Sequence, residues 1–96
     1  MPTQEMKCNN VSINNLNLVK EKAISTLVKS DMFQKISKKY PKNTKFVFPL
    51  EVAKIQDDQK CIVEVSVYTD ENDHYSLVAS FLVKNKASIV FLKSIN

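Results

Sequence analysis

The sequence predicts a single α+β domain in which an N-terminal helix, broken near residue 30, packs on a four-stranded antiparallel meander. Three observations lead to this prediction. Apolar residues before Pro41 recur with helical spacing, apolar residues after it alternate with polar ones, and the connections between the alternating stretches are short. Such short connections join neighbouring strands antiparallel. The 96 residues fit one domain, predicted to span residues 12–96 behind a flexible segment at 1–11.

The helical segment begins near Ser12, and either Ser12 or Asn14 can cap its first turn. One broad apolar stripe, at about 3.6 residues per turn, contains Ile13, Leu16, Val19, Ala23, Ile24, Leu27 and Val28. The next apolar residues lie nearly opposite that stripe on a continuous helix and are Met32, Phe33, Ile36 and Tyr40. One straight helix would therefore leave one of the two stripes exposed.

We accordingly expect the helix to break at Ser30-Asp31, where Asp31 and Gln34 resemble a capping box. A second short helix should run from there to about Lys39. Pro41 ends the helical structure, because the residue before a proline is driven away from the α conformation.

The four stretches after Pro41 have the alternation typical of strands. The faces expected to meet the helices carry Phe46, Phe48, Leu50 and Val52, then Cys61, Val63, Val65 and Val67, then Tyr75, Leu77, Ala79, Phe81 and Val83, and finally Ala87, Ile89, Phe91 and Ile95. Pro49 has no amide hydrogen, so the first strand should be an edge strand or carry a bulge. The chain contains no glycine, so its turns should place Asn or Asp at positive φ, with Asp57-Asp58, Asn72-Asp73 and Asn85-Lys86 as the candidates.

The composition argues against most catalytic and nucleic-acid-binding sites. Without glycine the chain has neither a dinucleotide-binding fingerprint nor a phosphate loop. All fourteen basic residues are lysine, and the absent arginine is the residue that reads guanine and clamps phosphate. The single histidine, His74, follows Asp70, Glu71 and Asp73 in what we interpret as a solvated hairpin turn, not a metal site. We expect no cofactor, no metal, no nucleic-acid partner and no enzymatic activity.

The sheet face turned away from the helices is less polar than a solvated face should be. The residues predicted to form a partner-binding surface there are Ile62, Tyr68, Val78, Leu82, Val90 and Leu92. Either these residues bind another protein or a second copy of the chain, or they are covered by a tail, by strand curl or by the second helix.

Two cysteines precede the helix and the second strand, at Cys8 and Cys61. An even count in a small chain permits one disulfide, which would stabilise the fold by about 4 kcal/mol in the chain-entropy model. The alternative is a pair of reduced thiols in a cytosolic protein, with Cys61 a small core residue.

Several features are shared with a loose group of small exported bacterial proteins. Cys8-Asn9-Asn10 opens onto an amphipathic helix at 11–28, a strand is entered through Cys61 in the segment 59–65, and two more strands follow at 75–83 and 87–95. In these features the chain resembles members of that group with a cystatin-like helix-on-sheet fold. The resemblance implies a Cys8–Cys61 disulfide and a periplasmic or secreted location. It does not imply protease inhibition, because the glutamine–valine–glycine loop of true cystatins is missing.

The function predicted from these observations is that of a small exported bacterial protein-binding module, non-catalytic and possessing an inhibitor or immunity role. The alternative is a cytosolic homodimeric structural or regulatory protein that pairs through the outer sheet face. No apolar run approaches the roughly 20 residues of a membrane span. Residues 1–11 show no export signal, so we expect that any such signal was removed or never existed.

Overall fold

A computed structural model describes residues 13–57, 61–85 and 87–96 and confirms the α+β class. Two helices, α1 (Ile13–Lys29) and α2 (Asp31–Ser37), precede the sheet and pack against it. The strands are β1 (Phe46–Val47), β2 (Lys54–Asp57), β3 (Ile62–Glu71), β4 (His74–Lys84) and β5 (Ile89–Ile95). None of the helices in these ranges is both long and apolar enough to cross a membrane.

The predicted break between the helices is confirmed at Ser30. This residue has an extended backbone, with φ −74° and ψ 150°, and its hydroxyl accepts a hydrogen bond from Phe33 N at 3.2 Å. Ser30 is therefore the cap of α2, and the capping box expected from Asp31 and Gln34 is wrong. The Gln34 amide instead donates to the Val28 carbonyl at 2.8 Å, which ties the two helices together. Helix α2 ends at Ser37, slightly before the predicted end.

Within the residues that the structure describes, the sheet has five strands in place of the predicted four, in the order β1-β3-β4-β5, with β2 also paired to β3. All pairings are antiparallel. The predicted first strand is split into β1 and β2, which pair with the two ends of the same edge of β3. Pro49 lies in the gap, where its carbonyl accepts from Val52 N at 3.3 Å in a tight turn. The edge position expected for the strand that contains Pro49 is thus confirmed for both β1 and β2, whereas the division into two strands was not predicted.

The hairpin between β3 and β4 turns at the predicted pair. Asn72 and Asp73 have φ angles of 49° and 67° and connect the paired residues Glu71 and His74. Two consecutive positive φ angles are the signature of a two-residue type I′ turn, which matches the twist of the flanking strands. After β4 the positive φ falls on Ser88 (53°) and not on Asn85, while Asp58 and Lys86 lie outside the described residues.

The core lies between the helices and the middle of the sheet. Helix α1 buries Val19, Ala23 and Leu27 against Val63, Val65, Val67, Phe81 and Val83. Helix α2 buries Phe33, whose ring lies 5.4 Å from that of Phe46 and 5.5 Å from that of Phe48. This packing confirms the apolar faces predicted for α2, for β3 and for the second half of β4, and the part of the α1 stripe that contains Val19, Ala23, Ile24 and Leu27.

The face assignment is wrong at the start of β4. Val67 pairs with Ala79 but its neighbour Tyr68 pairs with Leu77, so β4 carries one extra residue at this bulge. An extra residue shifts the alternation of everything before it in the strand. Tyr75 and Leu77, predicted to be core residues, are consequently 57% and 36% exposed, whereas Val78 is buried.

The face assignment is also reversed in β5 from Ile89 to Leu92, whereas Ile95 pairs with the buried Ala79 on the predicted side. Val90 pairs with the buried Val83 and Leu92 with the buried Phe81, so both lie on the helix-facing side of the sheet. Phe91, predicted to be a core residue, instead pairs with Leu82 on the outer side. Ile89 is likewise opposite Lys84 on the outer side. The cause lies in the run from 89 to 92, which is apolar throughout and so carries no alternation that could orient the strand.

Candidate protein-binding surface

The outer side of the sheet is the side turned away from α1 and α2, and it holds only part of the predicted partner-binding set. Ile62, Tyr68 and Leu82 lie there and are half-buried. Val78 is buried, and Val90 and Leu92 belong to the opposite side. The structure adds residues that the sequence pattern assigned to the core, namely Tyr75, Leu77, Ile89 and Phe91.

The outer apolar residues form two groups along the strand direction. The first, the proximal patch, crosses three strands and contains Ile62, Leu82, Ile89 and Phe91. The ammonium group of Lys84 lies 5.2 Å from the centre of the Phe91 ring, so this patch has a cation over its main aromatic residue. Phe91 nevertheless remains 46% exposed, and Ile89 remains 42% exposed.

The second group, the distal patch, lies towards the β3–β4 turn and contains Tyr68, Tyr75 and Leu77. Leu77 pairs with Tyr68, and the two tyrosine rings lie 6.4 Å apart at an interplanar angle of 40°. Residues 71–77 are all exposed, so this end of the hairpin extends beyond the part of the sheet that the helices cover. On its helix-facing side, this end of the hairpin therefore meets solvent, whereas the remainder of the sheet packs against the core.

A row of small residues separates the two patches. Ser66 pairs with Ser80, which in turn pairs with Ser94 on β5. The hydroxyl oxygens of Ser66 and Ser80 lie 3.3 Å apart and share a hydrogen bond. Because serine side chains are short, the side chains in the middle of the outer side project less far from the sheet than the aromatic groups at either end.

Glu64 carries the main polar interaction beside the proximal patch. Its Oε1 accepts hydrogen bonds from Lys93 Nζ at 2.6 Å and from Gln56 Nε2 at 2.8 Å. The lysine side chain is 48% exposed, so the ion pair contributes only about 0–1 kcal/mol to stability. Its main effect is to hold the Lys93 side chain across the sheet, from β5 to Glu64 on β3.

The predicted disulfide involves Cys8, which lies outside the described residues, so the bond stays a prediction. Its other member, Cys61, is buried with a positive φ of 52° immediately before β3. Asn85 lies against it: Asn85 N donates to the Cys61 carbonyl at 3.2 Å, and Asn85 Nδ2 donates to the Val19 carbonyl of α1 at 3.0 Å. The sequence pattern indicated only a turn at Asn85 and missed this role.

The described residues offer little else to a substrate. No three His, Cys, Asp or Glu side chains within them lie close enough together to bind a metal ion. A shallow groove of about 360 Å³ lies between α1 and the β4–β5 connection and is lined by Ser25, Thr26, Lys29, Ser30 and Ser88. The Ser30 hydroxyl in it is already occupied by the helix cap.

Comparison with known proteins finds no matching family model, and neither a curated protein nor a solved structure gives a significant match. Inferences about function therefore depend on the chemistry of the outer side of the sheet.

Proposed function

We propose that this domain is a non-catalytic protein-binding module whose contact surface is the outer side of the sheet. The observation that supports the proposal is the exposure of large apolar side chains on neighbouring strands there, led by Tyr75 at 57%, Phe91 at 46% and Ile89 at 42%. Contiguous exposed apolar residues with a polar rim are typical of protein contact sites. Within the α+β class, we propose the cystatin-like helix-on-sheet layout that the resemblance implies.

The residue types also suit a protein partner. Tyrosine and phenylalanine supply large, rigid contact areas and are enriched where binding energy is concentrated. Two tyrosines lie at one end of the outer side and one phenylalanine at the other, with Lys84 beside the phenylalanine and Lys93 bound to Glu64 at the same end. By contrast, the large apolar side chain that α1 exposes is Leu18, which belongs to no comparable patch among the described residues.

The test is a comparison of single substitutions on the two sides of the molecule. Phe91→Lys and Tyr75→Lys each place a charge in a patch, while Leu18→Lys is the matched control on the helical side. Proteins captured from a native extract by the wild-type domain are purified, and their affinities for all four forms are measured. We expect each patch variant to weaken binding by about tenfold or more and the control to leave it unchanged.

Equal affinity of Phe91→Lys, Tyr75→Lys and the wild type for every captured protein would refute the outer side as the contact surface. Circular dichroism of each variant shows whether a loss of affinity reflects a loss of fold. An inhibitor or immunity role in an exported protein is the specific form of this proposal. It is supported by the cysteine arrangement and by the resemblance to small exported bacterial proteins.

A second candidate function is self-association in a structural or regulatory homodimer. The observation that favours it is the distribution of charge along the outer side. The distal end carries Asp70 and is acidic, and the proximal end carries Lys84 and Lys93 and is basic. Such a surface is complementary to a copy of itself turned by half a rotation.

A further inference from the structure

The distal end of the outer side is acidic. Asp70, Glu71 and Asp73 surround the turn of the β3–β4 hairpin, next to the distal patch. Lys45 is the neighbouring lysine, since its carbonyl accepts a hydrogen bond from Asp70 N at 3.0 Å. Asp70 lies on the outer side, because it pairs with Tyr75, whereas Glu71 lies on the helix-facing side. Among the described residues, Asp70 and Asp73 against Lys45 leave the distal end of the outer side with net negative charge.

The proximal end is basic. Lys54 pairs with Glu64, Lys84 pairs with both Ile62 and Ile89, and Lys93 reaches over the sheet from β5. The carboxylates that the structure describes at this end are Glu64, whose Oε1 is already bound by Lys93, and Asp57 at the end of β2. Among the described residues, three ammonium groups against two carboxylates leave net positive charge around the proximal patch.

The two ends are separated by a distance that suits a two-fold contact. Leu82 in the proximal patch and Tyr75 in the distal patch are seven residues apart on β4, or about 23 Å along the strand. The serine row, Ser66, Ser80 and Ser94, crosses the sheet between them. A two-fold axis through this row would place the proximal patch of one copy over the distal patch of the other.

We propose that the partner of the outer side is a second copy of this chain, bound through a two-fold axis that passes through the serine row. In this arrangement the lysines of the proximal end of each copy face Asp70 and Asp73 at the distal end of the other, and the two apolar patches cover each other. The short serines allow the two sheets to approach at the axis. In an isologous contact every interaction occurs twice. The attraction between the lysines of one copy and the carboxylates of the other therefore acts at both ends of the interface. The inference rests on the proposed function, since it names the occupant of the same surface.

Charge reversal in two separate variants tests this arrangement. The proximal variant is Lys84→Glu, and the distal variant is Asp70→Lys. The matched control, Lys22→Glu, makes the same change in net charge as the proximal variant but at an exposed position on α1. The oligomeric state of the full chain is measured by analytical ultracentrifugation over a range of concentrations at low and at high salt.

We expect the wild type and the control to dimerise, with a dimerisation constant that weakens as salt is added. Each reversed variant alone should dimerise at least about tenfold more weakly, because both of its contacts bring like charges together. A mixture of the two variants should recover the dimer, because one contact is then native and the other has both charges reversed.

A wild type that sediments as a monomer at all concentrations, or a mixture that stays monomeric while the wild type dimerises, would overturn the second copy as partner. Either result leaves binding of a different protein to the outer side to be decided by the Phe91→Lys and Tyr75→Lys affinities. Loss of binding in those two variants alongside a monomeric wild type would retain the proposed function and reject only the self-contact.

Discussion

At the scale of single residues, Asn85 joins parts of the fold that are far apart in the chain. Its side-chain amide donates to the Val19 carbonyl of α1 at 3.0 Å, and its backbone amide donates to the Cys61 carbonyl at 3.2 Å. The residue is buried, so water cannot replace these interactions. Asn85 thereby links the first helix, the entry to β3 and the end of β4 at one point.

Replacement of Asn85 by alanine should lower the free energy of unfolding by about 1–3 kcal/mol, because the substitution removes a buried hydrogen bond and leaves a small void. Urea denaturation measures the change. Asn96→Ala is the control, since Asn96 makes an exposed hydrogen bond to the Leu77 carbonyl and should change stability by no more than about 0.5 kcal/mol. Equal effects of the two substitutions would contradict the linking role of Asn85.

At the scale of elements, the long hairpin of β3 and β4 is the central unit of the fold. Its two strands carry the middle of the core on one side and most of the outer apolar residues on the other. Its turn depends on Asn72 and Asp73, both at positive φ in a chain that contains no glycine. Aspartate pays a steric cost for this conformation that glycine does not.

Asp73→Gly should therefore stabilise the domain, by about 0.5–1 kcal/mol, because Asn-Gly is the preferred pair for a type I′ turn. Asp73→Ala should destabilise it, since alanine keeps the Cβ and cannot form the local hydrogen bonds of aspartate. Thermal and urea unfolding of the three forms measure the order. If the glycine variant were no more stable than the alanine variant, backbone strain at residue 73 would not lower the stability of the domain.

At the scale of the whole molecule, the N-terminal segment and the sheet are the parts that the predicted Cys8–Cys61 disulfide would join. Cys61 is buried at the point where β3 starts, and its own carbonyl accepts a hydrogen bond from Asn85 N. A covalent link between a segment at the start of the chain and the middle of the fold restricts the unfolded state strongly, because the closed loop is long.

Mass spectrometry of non-reduced protein from its native compartment should therefore show one disulfide and no free thiol. Cys61→Ser should lower the free energy of unfolding by about 4 kcal/mol in the chain-entropy model. The same substitution measured under reducing conditions is the control, because only its packing cost remains there. Two free thiols in native material would remove both the bond and the argument for export.

Much of the fold followed from local sequence signals. The helix break at Ser30, the turn at Asn72-Asp73 and the edge position of the segment around Pro49 were all predicted, because each depends on the backbone preference or the missing amide hydrogen of one or two residues. The outer contact surface was predicted only in part. Ile62, Tyr68 and Leu82 were placed on the correct side, whereas Phe91 and Tyr75, its most prominent members, were assigned to the core.

The sequence by itself determined which segments are helical or extended and where the chain turns, since these depend on neighbouring residues. Only the tertiary structure decided on which side of the sheet the residues at each end of a strand lie. Alternation orients residues relative to one another within a regular strand, but the bulge beside Val78 shifts it by one residue. Along β5 the consecutive apolar residues leave its orientation to be chosen by pairing with β4. Strand pairing therefore determined the surface that the proposed function uses.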